Sequence, residues 1–205
     1  MGGRGSASGL SGSGFTTYTD VKSSASALGL GNGGETDKWM AGLTDKEHKS
    51  VKRYTKSWYV DINDHLRGIE PGSSVIKNDV KNMEQAINKF NLQNPTVFHR
   101  GSSASLLGGA NSVADINKMA GQVVVDKGFT STSATSGKGF TYKPIQYHIQ
   151  TPAGKGIGAF VQGISGYGAT ENEFVFNHGS GFKILGAYQK HGQVHVNMRY
   201  VGRMS

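Results

Sequence analysis

The chain has 205 residues, the size of one domain with or without an extension. It carries 22 Lys and Arg against 14 Asp and Glu, a net charge of +8, so its surface should attract nucleotides, phosphates or acidic partners. The lack of cysteine excludes disulfide scaffolds, thiol nucleophiles and thiolate zinc sites, and no apolar run is long enough to span a bilayer.

Residues 1–42 are rich in Gly and Ser, which predicts a flexible N-terminal segment before a folded domain at 43–205. A short helix is predicted across Thr19 to Leu28, where small apolar side chains share one face. Residues 29–34 fit the pattern G-x-G-x-x-G but follow no strand and begin no helix, so we interpret them as a linker.

Residues 43–93 are predicted to be helical. Thr44 and Glu47 have the spacing of a capping box, which predicts a helix from Thr44 to about Lys56. Gly68 is suited to the left-handed stop of a second helix. This second helix is expected at residues 58–67, and a third is expected at residues 75–90.

Short β-branched and aromatic runs separated by glycine fill residues 94–205. Strands are predicted at 96–98, 123–125, 129–131, 145–149, 158–161, 174–176, 182–188 and 194–201. Helices first and strands afterwards predict the α+β class with a mainly antiparallel sheet arrangement. His191 and His195 are expected on one strand face without a third ligand, so no metal site is predicted.

Three short segments of the strand-rich part could build a site, although each has a simpler explanation. Arg100 ends a strand and Gly101 would let a ligand approach the backbone, but an arginine there could also form a surface ion pair. The hydroxyl residues 131–133 could be ordinary strand and turn residues. Glu171 and Glu173 alternate along a predicted strand and should face one site, unless they form a solvent-facing edge pair.

Taken together and in this order, the three segments resemble the arginine–serine–glutamate class of mono-ADP-ribosyltransferases, within the bacterial exoenzyme family. The likeness covers approximately residues 43–200 and includes Leu66-Arg67-Gly68 upstream and Glu171-Asn172-Glu173 downstream. It implies an ADP-ribosyltransferase-type NAD-binding core of two sheets, with NAD as co-substrate and no metal. The glycine-rich opening, Met1 to Gly5, also resembles proteins of phage or mobile-element origin.

The resemblance implies roles for the residues that bind and cleave NAD. Glu173 matches the catalytic glutamate, expected to hold the ribose 2′-hydroxyl and to stabilise positive charge on the ribose. Arg100 matches the arginine that holds the NAD phosphates, and Ser131 is expected to orient Glu173. Gly101 would offer its backbone to the nicotinamide amide.

Further roles follow for the neighbouring loops. Within residues 134–142, which correspond to a loop that closes over NAD in relatives, Phe140 could stack on the nicotinamide ring and Lys138 could contact a phosphate. Glu171, two residues before the catalytic glutamate, follows the family pattern for arginine acceptors. Tyr167 could face a protein target. Thr132 and Ser133 are expected to be structural.

The function predicted from this resemblance is mono-ADP-ribosylation of an arginine on a host target protein by a soluble, monomeric enzyme. We expect it to act in the cytoplasm of a host or target cell, encoded by a phage or delivered without a signal peptide. Three alternatives remain open at this point: an NAD glycohydrolase, a transferase with a nucleic-acid or other acceptor, and a non-catalytic binding module. A nucleic-acid acceptor is less favoured, because the chain lacks interleaved aromatic and basic residues.

Overall fold

The computed structural model describes residues 14–165 and 171–204. Within these residues, five helices precede the first strand and a sixth lies between the second and third strands. Their bounds are Val21–Ala27 (α1), Glu35–Ala41 (α2), Asp45–Arg53 (α3), Tyr59–Arg67 (α4), Ser74–Lys89 (α5) and Val113–Lys118 (α6). A π-helical turn, Tyr54–Trp58, joins α3 to α4, and a 3-10 turn covers Ala104–Leu107. The helices predicted at 44–56, 58–67 and 75–90 are confirmed, the first two as one continuous helical run.

The ends of the long helical run have the chemistry that the sequence predicts. Thr44 Oγ1 accepts the Glu47 N–H at 3.3 Å, while the Glu47 carboxylate accepts the Thr44 N–H at 2.7 Å. This capping box satisfies donors that the first turn of a helix would otherwise leave unpaired. Gly68 ends α4 with a φ of 75°, a left-handed conformation that glycine adopts without a Cβ clash.

The described residues contain ten strands, and eight of them match the predicted strand positions. Their bounds are Asn91–Leu92 (β1), Thr96–Ser102 (β2), Val123–Asp126 (β3), Thr130–Ser133 (β4), Ile145–Thr151 (β5), Gly154–Lys155 (β6), Gly158–Phe160 (β7), Glu173–Phe176 (β8), Ser180–Lys190 (β9) and Gln193–Arg203 (β10). Strands β1 and β6 pair with each other, and the other eight form one sheet in the order β3-β9-β10-β5-β2-β4-β8-β7.

The large sheet consists of two halves that meet at one point. Strands β2 and β4 share a single pair of facing residues, His99 and Ser133, whereas β2 and β5 pair over seven. The two-sheet arrangement predicted from the resemblance therefore takes the form of a five-stranded and a three-stranded half. Within the sheet β10 and β5 run parallel and the other neighbouring strands run antiparallel. The predicted α+β class with a mainly antiparallel sheet is confirmed.

Aromatic side chains fill the space between the helices and the sheet. Phe98 of β2 stacks on Phe174 of β8 with ring centroids 3.9 Å apart, and Phe90 meets Phe174 edge to face. All three rings are buried. Each such side chain contributes on the order of 2 kcal/mol through burial, so these contacts hold the C-terminal end of α5 against β2 and β8.

The prediction of a flexible segment over residues 1–42 is wrong for residues 14–42, while residues 1–13 lie outside the described chain. Helices α1 and α2 form there and pack on the rest of the molecule. Trp39 is buried, and its indole N–H donates to the carbonyl oxygen of Ala86 at 2.8 Å. Tertiary packing therefore compensates for the weak helical propensity of this glycine-rich sequence.

The two histidines expected on one strand face lie in different environments. His191 occupies the turn between β9 and β10 with a φ of 49°, whereas His195 lies on β10. His195 instead belongs to a row of three buried or half-buried rings that crosses β2, β5 and β10. His148 contacts His99 and His195 through nitrogen pairs of 2.8 Å each.

Candidate active site

A cleft opens where the helical run faces strands β2, β4 and β8. One part of it is a pocket of about 400 Å³, and an adjoining part of about 760 Å³ shares Tyr59, Arg67, Arg100 and Phe140 with it. These volumes are in the range of sites that bind small molecules and cofactors. The smaller pocket brings together residues from both regions: Tyr54, Asn63, Arg100, Ser131, Glu171 and Glu173.

Glu173 begins strand β8 and forms the buried wall of the smaller pocket. Its residue is only 7% exposed, and its carboxylate Oε1 accepts the Ser131 hydroxyl at 2.5 Å. Burial raises the pKa of Glu173 to about 7, and the nearby Glu171 adds to the rise, while the Ser131 hydrogen bond and the Arg100 charge oppose it. A carboxylate placed in this way can stabilise a cation that develops within the pocket.

Arg100 and Ser131 come from the two strands that meet at the joint of the sheet. Arg100 Nη1 donates to the Ser131 carbonyl oxygen at 2.8 Å, so the guanidinium is anchored to β4 while it lines both parts of the cleft. Ser131 in turn holds Glu173 through its hydroxyl. The sequence prediction that these three residues converge agrees with the geometry, and a guanidinium at this position suits phosphate binding.

Glu171 also lines the smaller pocket, but the expected reason for its position is wrong. Strand β8 begins at Glu173, and the intervening Asn172 has a φ of 48°, so regular strand alternation does not extend back to Glu171. Glu171 is exposed, and its carbonyl oxygen accepts the Ser133 hydroxyl at 2.8 Å. The two carboxylates line the same pocket because the chain turns at Asn172.

The loop over residues 134–142 covers Gly101. The Gly101 N–H donates to the Gly139 carbonyl oxygen at 2.8 Å, and a Cβ at position 101 would lie 1.8 Å from the Phe140 carbonyl oxygen. Glycine is therefore required here by the loop itself, and the Gly101 N–H is already engaged. Phe140 is 48% exposed and lines both parts of the cleft, as its predicted role requires. Lys138 is exposed in the same loop.

Three further residues of the site received no specific role from the sequence. The Asn63 side-chain carbonyl accepts the Phe129 N–H at 2.8 Å, and its amide donates to the Tyr54 hydroxyl at 3.2 Å. Arg67 donates twice from Nη2 to the Asp126 carboxylate, at 3.0 and 3.2 Å. These contacts fasten the helical run to the chain before β4. The family resemblance includes all three, in Leu43 to Tyr54, Ile62-Asn63 and Leu66-Arg67-Gly68, but it assigned them no role.

Tyr167, predicted to face a protein target, lies outside the described residues, which break off between 165 and 171. Within the described chain, no group of three or more His, Asp or Glu side chains is arranged to hold a metal ion. No helix in residues 14–165 and 171–204 is both long and apolar enough to cross a membrane.

Sequence comparison identifies a family for most of the chain. The family described as ADP-ribosyltransferase exoenzyme matches residues 32–201. A curated relative from Enterococcus faecalis, an NAD(+)–arginine ADP-ribosyltransferase, is 31% identical over 74 residues. That match covers 35% of this chain and only 15% of the relative's length.

Solved structures show the same fold. Plx2a, an ADP-ribosyltransferase toxin from Paenibacillus larvae, superposes with a TM-score of 0.79 at 20% identity, over 90% of this chain and 98% of that one. The Clostridium limosum C3 exoenzyme gives 0.78 at 17% identity, over 93% and 98%. C3stau2 from Staphylococcus aureus, solved with NAD, gives 0.75 at 16% identity, over 93% and 100%. At these identities the likeness establishes the fold.

Proposed function

Because the chain belongs to the ADP-ribosyltransferase exoenzyme family, whose co-substrate is NAD, we propose that it transfers ADP-ribose from NAD to an arginine of a target protein. The observation that carries this proposal is the pair of carboxylates in one pocket, buried Glu173 and exposed Glu171. The relative from Enterococcus faecalis, which is named for arginine, supports the same acceptor.

The first step is cleavage of the bond between the nicotinamide nitrogen and ribose C1′. The bonding electron pair leaves with nicotinamide, which becomes neutral, and C1′ acquires oxocarbenium character. The ionised Glu173 carboxylate stabilises this positive charge, and Ser131 keeps the carboxylate in place. In enzymes, removal of a comparable preorganised electrostatic group costs about 100- to 1,000-fold in turnover.

The second step is attack of a guanidinium nitrogen on C1′. Glu171 is suited to bind the incoming guanidinium and to take the proton that this nitrogen loses when the new N–C1′ bond forms. The products are ADP-ribosylated arginine, nicotinamide and a proton. The exposed position of Glu171 supports this assignment, because a protein side chain must reach the pocket from solvent.

The remaining residues are assigned to NAD binding. Arg100 would hold the phosphates, because its guanidinium lies between the two parts of the cleft and is fixed to β4. Phe140 would pack on the nicotinamide ring, and Lys138 would contact a phosphate once residues 134–142 close. Gly101 would contribute its backbone to nicotinamide only after its hydrogen bond to Gly139 is released.

A transfer assay with labelled NAD and agmatine, a small arginine analogue, tests the proposal. We expect labelled agmatine from the wild type and from Glu70→Gln, an exposed carboxylate variant outside the cleft. Glu173→Gln should form labelled agmatine and free ADP-ribose about 100- to 1,000-fold more slowly than the wild type. Glu171→Gln should lose transfer yet still release ADP-ribose to water.

Two other results would overturn the arginine assignment. Free ADP-ribose without labelled agmatine, from the wild type, would indicate an NAD glycohydrolase or another acceptor. Labelling of a nucleic acid in preference to agmatine and to acidic proteins would assign the basic surface, with a net charge of +8, to a nucleic-acid acceptor. Action on a host protein in the cytoplasm is part of the same proposal, and identification of labelled proteins in a host lysate would test it.

A further inference from the structure

Asn172, the residue between the two glutamates, has an unusual backbone conformation. Its φ of 48° lies in the left-handed region, where residues other than glycine are uncommon and Asn is enriched. This turn brings Glu171 to the pocket that Glu173 enters from strand β8. The conformation of Asn172 therefore determines how the two carboxylates stand relative to each other.

The Asn172 side chain is held by helix α1, far away in the sequence. Asn172 is 1% exposed, and its amide Nδ2 lies 2.7 Å from the Val21 carbonyl oxygen, 2.5 Å from Ser24 Oγ and 3.0 Å from Thr135 Oγ1. Ser24 Oγ and Thr135 Oγ1 are 2.9 Å apart, so the three side chains form one buried polar cluster. Such a cluster fixes geometry because each buried polar group needs its partners.

Residues 16–24, here called the N-terminal strap, are themselves attached at both ends of the site. The Val97 N–H donates to the Thr16 carbonyl oxygen at 2.9 Å, near the start of the strand that carries Arg100. The Ser136 N–H donates to the Tyr18 carbonyl oxygen at 2.8 Å, just after the strand that carries Ser131. The strap thus presents Ser24 to Asn172 from a fixed position.

The two glutamates depend on this cluster to different degrees. Glu173 lies in a strand paired on both sides, its carboxylate accepts the Ser131 hydroxyl, and its N–H donates to Gln162 Oε1 at 3.2 Å. Glu171 precedes the strand and is exposed, and its backbone carbonyl is held by Ser133. Loss of the Asn172 anchor should therefore displace Glu171 more than Glu173.

We propose that Asn172, anchored on Ser24 of the N-terminal strap, is a positioning residue that aims Glu171 at the acceptor. The inference rests on the proposed arginine transfer, because it assigns Asn172 to the acceptor half of that reaction. The strap then supports the transferase site through Ser24, although none of the strap residues lines the two parts of the cleft.

Two variants test the anchor, and a third is a matched control. Asn172→Gly keeps a backbone that accepts the positive φ and removes the side chain that carries the amide. Ser24→Ala removes the hydroxyl from the strap. Ser23→Ala removes a hydroxyl from the neighbouring residue of α1, where it is exposed and bonds Asp20. Agmatine transfer, release of ADP-ribose to water and the KM for NAD are measured for all three and for the wild type.

We expect agmatine transfer to fall about 10-fold or more in Asn172→Gly and about 5-fold in Ser24→Ala, since small displacements of a catalytic group are costly. Hydrolysis and the KM for NAD should change less than about 2-fold, because Glu173 keeps its other supports. Ser23→Ala should match the wild type. Parallel loss of transfer and hydrolysis, or an unchanged ratio of the two, would overturn the proposal.

A structural readout separates this proposal from the proposed function. The Asn172 side-chain amide protons should exchange slowly with solvent in the wild type and in Ser23→Ala, and faster in Ser24→Ala, as followed by NMR. Rapid exchange in the wild type contradicts the anchor whatever the acceptor is. If the wild type labels no agmatine, the arginine assignment fails. If Asn172→Gly does not fold, the Ser24→Ala ratio decides.

Discussion

Glu173 and Glu171 are the same residue type, two positions apart, yet they lie in opposite environments. Glu173 is buried in a paired strand and hydrogen-bonded to Ser131, whereas Glu171 lies on an exposed turn whose shape is set by Asn172. The buried position favours stabilisation of charge inside the cleft, and the exposed one favours contact with an arriving group. The environment of each carboxylate, more than its chemistry, indicates its part in the reaction.

The largest expected effect separates the two carboxylates by reaction. Glu173→Gln should lower both transfer and hydrolysis of NAD by about 100- to 1,000-fold, because both need a stabilised ribose cation. Glu171→Gln should lower transfer alone. Steady-state rates with and without agmatine measure this difference. Equal losses of hydrolysis in the two variants would remove the distinction between the buried and the exposed position.

The next effect concerns stability, and its sign follows from the pKa of Glu173, raised by burial to about 7. Between pH 4.5 and 7 the folded protein keeps a proton that the unfolded chain has released, so stability falls as the pH rises through this window. Glu173→Gln should therefore be more stable than the wild type at pH 8, by up to about 3 kcal/mol.

Chemical unfolding of Glu173→Gln and the wild type at pH 5 and pH 8 checks this prediction. The difference in unfolding free energy should nearly vanish at the lower pH. Glu171→Gln is the control, and its exposed side chain should change stability by no more than about 0.5 kcal/mol. If Glu173→Gln is less stable than the wild type at pH 8, the ionised Glu173 carboxylate stabilises the folded protein and its pKa is not raised.

A smaller effect is expected on the pH dependence of NAD hydrolysis. Because ionised Glu173 is required, kcat/KM for NAD should rise with pH and level off above about pH 7. Ser131→Ala removes a hydrogen bond that lowers this pKa, so the midpoint should move up by about one pH unit. Glu171→Gln removes a like charge that raises the pKa of Glu173, so the midpoint should move to lower pH. Shifts of the same sign would contradict the assignment.

The smallest effect extends the comparison from a buried acid to buried bases. Burial lowers the pKa of both His99 and His148, and their neighbouring rings add to the effect. Below pH 6.5 these histidines bind protons in the unfolded chain but stay neutral in the folded protein. The free energy of unfolding therefore falls as the pH falls. His148→Gln should flatten this slope by about 1 kcal/mol per pH unit, while His48→Gln, at an exposed position, should not.

Local sequence signals predicted the parts of the fold that depend on nearby residues. The capping box at Thr44, the stop at Gly68 and eight strands required only short-range patterns, and the meeting of Arg100, Ser131 and Glu173 followed from the family resemblance. Helix α2 was missed because its stability comes from Trp39 contacting a distant helix. The Asn172 turn was missed because its partners Val21 and Ser24 lie about 150 residues away, a contact that no local pattern encodes.

Strand β10 has a consequence for the way the protein is made. It lies between β9 and β5 inside the large sheet, although it is the last strand in the chain order. Strand β5 can therefore pair with β10 only after residues up to 199 have left the ribosome. Non-local pairing of this kind slows folding and leaves β5 as an exposed edge during synthesis. Assembly of the sheet that supports Arg100 is thus a late event, and the strand that carries Arg100 gains its full support only after β10 has paired with β5.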